Sequence, residues 1–220
     1  MAEIYIYDVI GEDWFGEGVT ANKIRQELAD APKDEELRIR INSPGGDVFQ
    51  GIAIRNLIAE WDGEISVQVD GLAASAASII AMQKSVTMAS AAMIMIHDPW
   101  TLTIGNAAVH AQTIRALDKI ADSAATVYAS RSGQTDEMAR EWMKTETWFS
   151  ADEAIEMGLA DFKTAATVKS CPIDPRFGYK HADRWLKVAA SASMSPDAGN
   201  LASHDAMRRQ LSLLRMRIPV

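Results

Sequence analysis

Three short stretches carry residues that can do chemistry together. They are Asn42-Ser-Pro-Gly-Gly46, Gly71-Leu-Ala-Ala-Ser75-Ala-Ala-Ser78 and Ile96-His-Asp-Pro99. A serine at a turn from strand to helix holds its hydroxyl in the open, beside helix N–H groups that lack intrahelical partners. That is a favourable place to make and stabilise an oxyanion. The alanines around it let a substrate backbone approach closely. A glycine pair can turn further backbone N–H groups toward a developing negative charge. A histidine can take the serine's proton, and a carboxylate can hold the imidazole. Each stretch also has a plainer reading. Ser75 or Ser78 fits a helix cap, and His97 fits a strand-end residue satisfied by local backbone. Taken together, the three favour an enzyme.

The elements that must position these residues follow from periodicity. Strands are expected over Ile4–Val9, Leu37–Ile41, Ile65–Val69, Ser85–Met88 and Ala92–Ile96, with a short extended piece at Thr147-Trp-Phe149. The Ala92–Ile96 run has no polar alternation and should be buried on both faces. Helices are expected from Thr20 to Ala29, Val48 to Trp61, just past Ser75 to Gln83, Asn106 to Ser130 and Thr135 to Lys144. On the long one, Ile114, Leu117, Ala121, Ala124 and Tyr128 recur along one face. Ser150-Ala-Asp-Glu153 is a capping box for one more helix, which Gly158 ends. Strands alternating with helices argue an α/β fold with a largely parallel sheet, and the three stretches fall at the C-terminal ends of strands, where such sheets assemble their sites. The order serine, histidine, acid differs from the familiar serine-hydrolase orders, so geometry must judge it.

Two regions differ in character. Residues 1–168 hold 13 Lys+Arg and 26 Asp+Glu, whereas 169–220 hold 9 and 4. We expect a catalytic domain over 1–168 and a basic extension over 169–220. The extension contains a small-residue linker, Ala189–Asn200, and a short amphipathic helix from about Asp205. The acidic body argues against nucleic-acid binding. No apolar run is long enough to span a membrane, and no secretory signal opens the chain. The single cysteine, Cys171, excludes an internal disulfide or a cysteine-based metal site and fits a reducing cytoplasm. Nothing calls for a metal, a nucleotide or another cofactor.

Four motifs in order resemble the Clp protease proteolytic subunit (ClpP) family, peptidase S14: Asn42-Ser-Pro-Gly-Gly46, Gly71-x-Ala-Ala-Ser75, Met95-Ile-His-x-Pro99 and Phe149-Ser-Ala-x-Glu-Ala-x-Glu-x-Gly-Leu-x-Asp161. The likeness covers roughly residues 3 to 163. The Ile6-Tyr-Asp-Val-Ile-Gly11 opening and Glu146-Thr-Trp-Phe149 look closer to phage and prophage head-maturation proteases. The resemblance implies a ClpP/crotonase-like fold of repeated β-β-α units with a protruding long-helix handle, serine endopeptidase chemistry, and homo-oligomeric rings. It implies polypeptide substrates, here capsid or scaffold proteins and the chain's own extension.

Carried over by position, Ser75 is the nucleophile, His97 the general base and Glu146 the acid, where the family has Asp. The oxyanion hole is the backbone N–H of Ala76 with one from the glycine pair, Gly46 before Gly45. Asp98 alternates to the opposite side of its strand, and Asp152 is a helix-start charge. Lys84 lies nine residues past Ser75, about 13 Å along a helix axis, too far for a Ser-Lys dyad. The short N-terminal segment lacks the family's axial-loop pattern, which speaks against docking to an unfoldase ATPase. The alternatives are an ATPase-dependent Clp-type subunit and a non-catalytic structural ring protein of the same fold.

Overall fold

The computed structural model describes residues 1–12 and 18–165. The 168/169 boundary, Cys171, the linker and the helix expected near Asp205 lie outside the described residues. In chain order the elements are β1 (Ala2–Ile6), α1 (Ala21–Asp30), β2 (Leu37–Ser43), α2 (Val48–Ala59), β3 (Ile65–Ala74), α3 (Ala76–Ala81), β4 (Val86–Ala89) and β5 (Met93–Ile96). The long helix α4 (Ala107–Ser132) follows, then α5 (Asp136–Lys144), β6 (Thr147–Ser150), α6 (Ala151–Glu156) and β7 (Phe162–Thr164). The predicted caps are in place. Thr20, Asn106 and Thr135 accept first-turn N–H groups of α1, α4 and α5, and Ser150 with Glu153 forms the capping box of α6.

The sheet is parallel through β1, β2, β3, β4 and β7, with β5 parallel to β3 and β6 antiparallel to β5. Its register explains the core. Ile4, Ile39, Val67 and Val86 form one cross-strand row, and Ile6, Ile41, Val69 and Met88 the next; all eight are buried. Ile24 and Leu28 of α1 and Ile54 and Ile58 of α2 belong to the same cluster. Because side chains alternate along a strand, the intervening residues carry the polar face: Tyr5, Arg40, Gln68 and Thr87 stand in register on it. The expected α/β sheet is therefore present, and the architecture is consistent with the ClpP fold.

The structure corrects several boundaries. β3 does not stop at Val69 but continues through Gly71 to Ala74. Its first half pairs with β4 at Val67–Val69, and its second half pairs with β5 at Leu72–Ala74. One strand thus serves two successors, and the sheet forks beside Ser75. α3 ends at Ala81, two residues short of expectation, and β7 was not foreseen from its short, exposed sequence. On α4 the apolar face is real only in the C-terminal half. Ile114 is 59% exposed, and the first buried residue of the helix is Ala121.

The polar face has one deeply placed charge. Asp70, 2% exposed, accepts from Arg40 Nε at 2.8 Å and Nη2 at 2.6 Å, and from the Tyr7 hydroxyl. Glu3 lies 3.5 Å from Arg40 Nη1. Burial and the bond to Asp70 push the Tyr7 phenol up, and the bond to Asp70 raises the Arg40 guanidinium, so both stay protonated donors. A buried carboxylate so compensated costs little, but removing it strands its partners. Asp70→Ala should lower unfolding free energy by roughly 2 kcal/mol, since Arg40 is partly exposed and regains some water. A reduced urea midpoint at unchanged m-value would register this loss.

Candidate active site

Ser75 sits where β3 turns into α3, with φ 55° and ψ −125°. A non-glycine residue held there costs on the order of 1–3 kcal/mol and persists only where its surroundings over-determine it. Those surroundings are visible. Ser75 N–H donates to the Met95 carbonyl at 2.9 Å, carrying the β3–β5 pairing one residue past Ala74. Gly45, at φ 92°, packs so closely that a Cβ there would lie 2.5 Å from the Ala74 carbonyl and 2.7 Å from Ser75 Cβ. The bend projects the Ser75 hydroxyl out of the strand, where it meets His97 Nε2 at 2.8 Å. A hydroxyl paired with an imidazole in this way can lose its proton as it attacks an electrophile.

The glycine pair is clamped from its other side. Ile10 N–H donates to the Gly45 carbonyl at 2.9 Å, and Asp47 N–H donates to the Ile10 carbonyl at 2.8 Å. Gly46, at φ 148°, has no room for a Cβ, which would fall 2.2 Å from the Ile10 carbonyl. The Gly45 N–H donates to Ser43 Oγ at 3.2 Å, so it is already engaged. Gly46 and Ala76 instead border a cleft of about 420 Å³ with Ser75 and His97. Its other walls are mainly apolar, including Phe49, Ile79, Trp100, Leu117, Ile120 and Met143. Of the alanines around Ser75, Ala76 borders that cleft. Ala73, Ala74 and Ala77 are fully buried and belong to the packing of β3 and α3.

The three carboxylates weighed as partners of the histidine have separate fates. Asp98 turns away, its N–H on the Met143 carbonyl at 3.0 Å and its Oδ1 2.8 Å from Arg140 Nη1. Asp152 pairs with Lys163 at the surface. Glu146 is 6% exposed and has φ 50° in the turn between α5 and β6. β5 and β6 pair Ile96 with Thr147, so His97 directly follows and Glu146 directly precedes the last paired positions. The Trp148 indole N–H, two residues on and on the same strand face, donates to Glu146 Oε1 at 3.2 Å. Lys84 borders a different cleft, with Trp61 and Arg131, as its distance from Ser75 required.

Two participants escaped the sequence reading. Trp148 looked like an ordinary strand aromatic, and its partner is apparent only from the strand's alternation with Glu146. Tyr128 was placed on the buried face of α4, but its hydroxyl contact with Ser78 Oγ, 2.8 Å, joins residues fifty positions apart. No local signal announces such a pair.

A family model, Clp protease, matches residues 17–164. The chain belongs to the Clp protease family. The matched segment contains Ser75, His97 and Glu146. The chain is 28% identical over 157 residues to ATP-dependent Clp protease proteolytic subunit 3 of Rhodococcus jostii, spanning 69% of this chain and 77% of that protein. Subunit 2 of Tropheryma whipplei is 31% identical over 159 residues, 67% of this chain and 87% of the relative. Subunit 1 of Chlamydia muridarum is 36% identical over 131 residues, 55% and 66% respectively. The chain is accordingly a hydrolase, a serine-type endopeptidase of the ClpP type.

The glycine pair offers a direct check of how the turn is held. Gly45→Ala puts a methyl into the Ala74 carbonyl at a positive φ, and should destabilise the protein by about 1–3 kcal/mol. Asp98→Ala, by contrast, should leave peptide hydrolysis within about threefold of the unmodified chain, because its carboxylate faces α5. Chemical denaturation of the first variant and initial rates of the second measure the two effects.

Proposed function

We propose that Ser75, His97 and Glu146 act as nucleophile, general base and orienting acid in peptide-bond hydrolysis, with the backbone N–H groups of Gly46 and Ala76 as the oxyanion hole. The observation that carries this reading is the 2.8 Å contact between Ser75 Oγ and His97 Nε2 at a strained turn bordering a cleft. Burial of Glu146 and its place directly before the residue paired with Ile96 support its role. As Ser75 attacks a peptide carbonyl, His97 takes the hydroxyl proton and returns it to the leaving amine. Water then hydrolyses the acyl-enzyme by the same exchange in reverse. The longer glutamate needs one more methylene accommodated than aspartate, and the Trp148 indole restrains the extra freedom.

For biological use, we infer a cytoplasmic, ring-forming endopeptidase that matures capsid or scaffold proteins and trims its own extension. The charge contrast supports this: an acidic body over 1–168 and a basic segment over 169–220 that can present itself to such a body. The relatives' names carry ATP dependence, which favours a second reading as the proteolytic subunit of an ATPase-driven protease. Incubating the purified chain alone, then with an unfoldase ATPase and ATP, separates them. Trimming of residues 169–220 without ATP supports the first, and hydrolysis of folded substrates only with the ATPase supports the second.

Fluorophosphonate labelling should modify Ser75, and Ser75→Ala should abolish both labelling and cleavage. His97→Ala should reduce kcat by about 10⁴-fold or more, and Glu146→Gln by at least about 10²-fold. Full activity of Ser75→Ala would end the assignment.

A further inference from the structure

We propose that Tyr128 and Ser78 form a hydroxyl relay that sets the direction of the oxyanion-hole donor at Ala76, making both positioning residues for the reaction at Ser75. This rests on the triad reading above. It begins with one carbonyl. The Ser75 carbonyl accepts from Ser78 N–H at 2.9 Å, from Ile79 N–H at 3.4 Å and from Ser78 Oγ at 2.6 Å. The side-chain bond is the shortest of the three.

Proton inventory fixes the order of the relay. A carbonyl oxygen only accepts, so the single hydroxyl proton of Ser78 is committed to Ser75. Ser78 Oγ must then be the acceptor in its 2.8 Å contact with Tyr128, and the phenol the donor. Tyr128 is 2% exposed, and burial pushes its phenol up, so the donor keeps its proton wherever the protein is folded. The direction is therefore Tyr128 to Ser78 to the Ser75 carbonyl. It runs from α4 into the nucleophile turn through Tyr128, which also borders the cleft, and the fully buried Ser78.

The consequence follows from peptide planarity. The Ser75 carbonyl and the Ala76 N–H belong to one rigid peptide unit and point in opposite directions. Anchoring the carbonyl toward buried Ser78 aims the N–H the other way, toward the cleft that Ser75 and Ala76 border. Besides the 2.9 Å turn bond from Ser78 N–H and the long 3.4 Å one from Ile79 N–H, the hydroxyl adds the shortest restraint against rocking of this unit. A donor misaligned by such rocking loses strength where charge develops, while substrate binding in the ground state is unaffected.

The test compares the full-length chain with Ser78→Ala, Tyr128→Phe and the double variant. Each is normalised to sites titrated with a fluorophosphonate. Readouts are kcat and KM for a fluorogenic peptide and affinity for a peptide aldehyde, whose hemiacetal with Ser75 places an oxygen in the hole. Each single variant should lose about tenfold in kcat per titrated site, with KM changed less than about twofold and the aldehyde weakened in parallel. The double variant should be no worse than Ser78→Ala, since both changes break one chain. Tyr128→Phe removes one oxygen and keeps the ring, so it tests the relay even if Ser78→Ala folds poorly. Unchanged turnover per titrated site, or a loss confined to melting temperature and titratable fraction, overturns the relay while the triad reading stands. An unmodified chain that neither labels nor cleaves overturns both.

Discussion

The backbone at Ser75 is the constraint on which the rest of the site depends. A β-branched or glycine residue could not replace it, because the position needs both a positive φ and a hydroxyl. The unfavourable conformation must be balanced by what surrounds it. The strand pairing to Met95 fixes the nitrogen side, Ser78 fixes the carbonyl side, and Gly45 presses the turn from below. Releasing any of these lets the residue relax toward an ordinary strand or helix conformation, in which the hydroxyl points elsewhere. The strain is thus stored at one residue and balanced by these three contacts.

Among the described residues two carboxylates are deeply buried, and they illustrate different solutions to one electrostatic problem. Asp70 is compensated by a guanidinium and a phenol, and its charge is neutralised in place. Glu146 accepts an indole N–H, a neutral donor, from Trp148 of β6. The first arrangement holds a sheet face together; the second ties the turn before β6 to the strand that follows it.

Sequence carried the strands, the caps and the three strand-end stretches because each has a local cause. Alternation marks β2, a side-chain oxygen three residues before the N–H it accepts marks the caps at Thr20, Asn106, Thr135 and Ser150, and paired glycines mark the clamp at Ile10. The 26-residue α4 was legible as a helix but not as a half-exposed one, since Ile114 and Ala121 fit the same periodicity and only packing separates them. The end of β3 was misplaced because glycine ordinarily closes a strand, whereas here Gly71 continues it into a second partner. Within the site, Ser75 and His97 were accessible from residue type and position. Glu146 required a family likeness, for nothing in a short turn between a helix and a strand distinguishes a buried acid from a solvated one. The Ser78–Tyr128 contact is beyond any local rule.

The fork in β3 accounts for the small residues that make the central stretch conspicuous. A parallel strand paired with β4 over Val67–Val69 must release it and take up β5 three residues later, while β2 on its other side shifts register between Ile41 and Ser43. Such a transition brings neighbouring backbones close, and Gly71, Ala73 and Ala74 are the residue types that tolerate it. Gly51 of α2 makes the same demand from above, since a Cβ there would sit 3.0 Å from Ala76. Composition around Ser75 is therefore set by the need to pass two sheets' worth of pairing through one strand. Catalytic geometry is a product of that passage. The strand that must change partners is the one whose last residue bends sharply, and β5, the partner it acquires, is the strand that ends in His97.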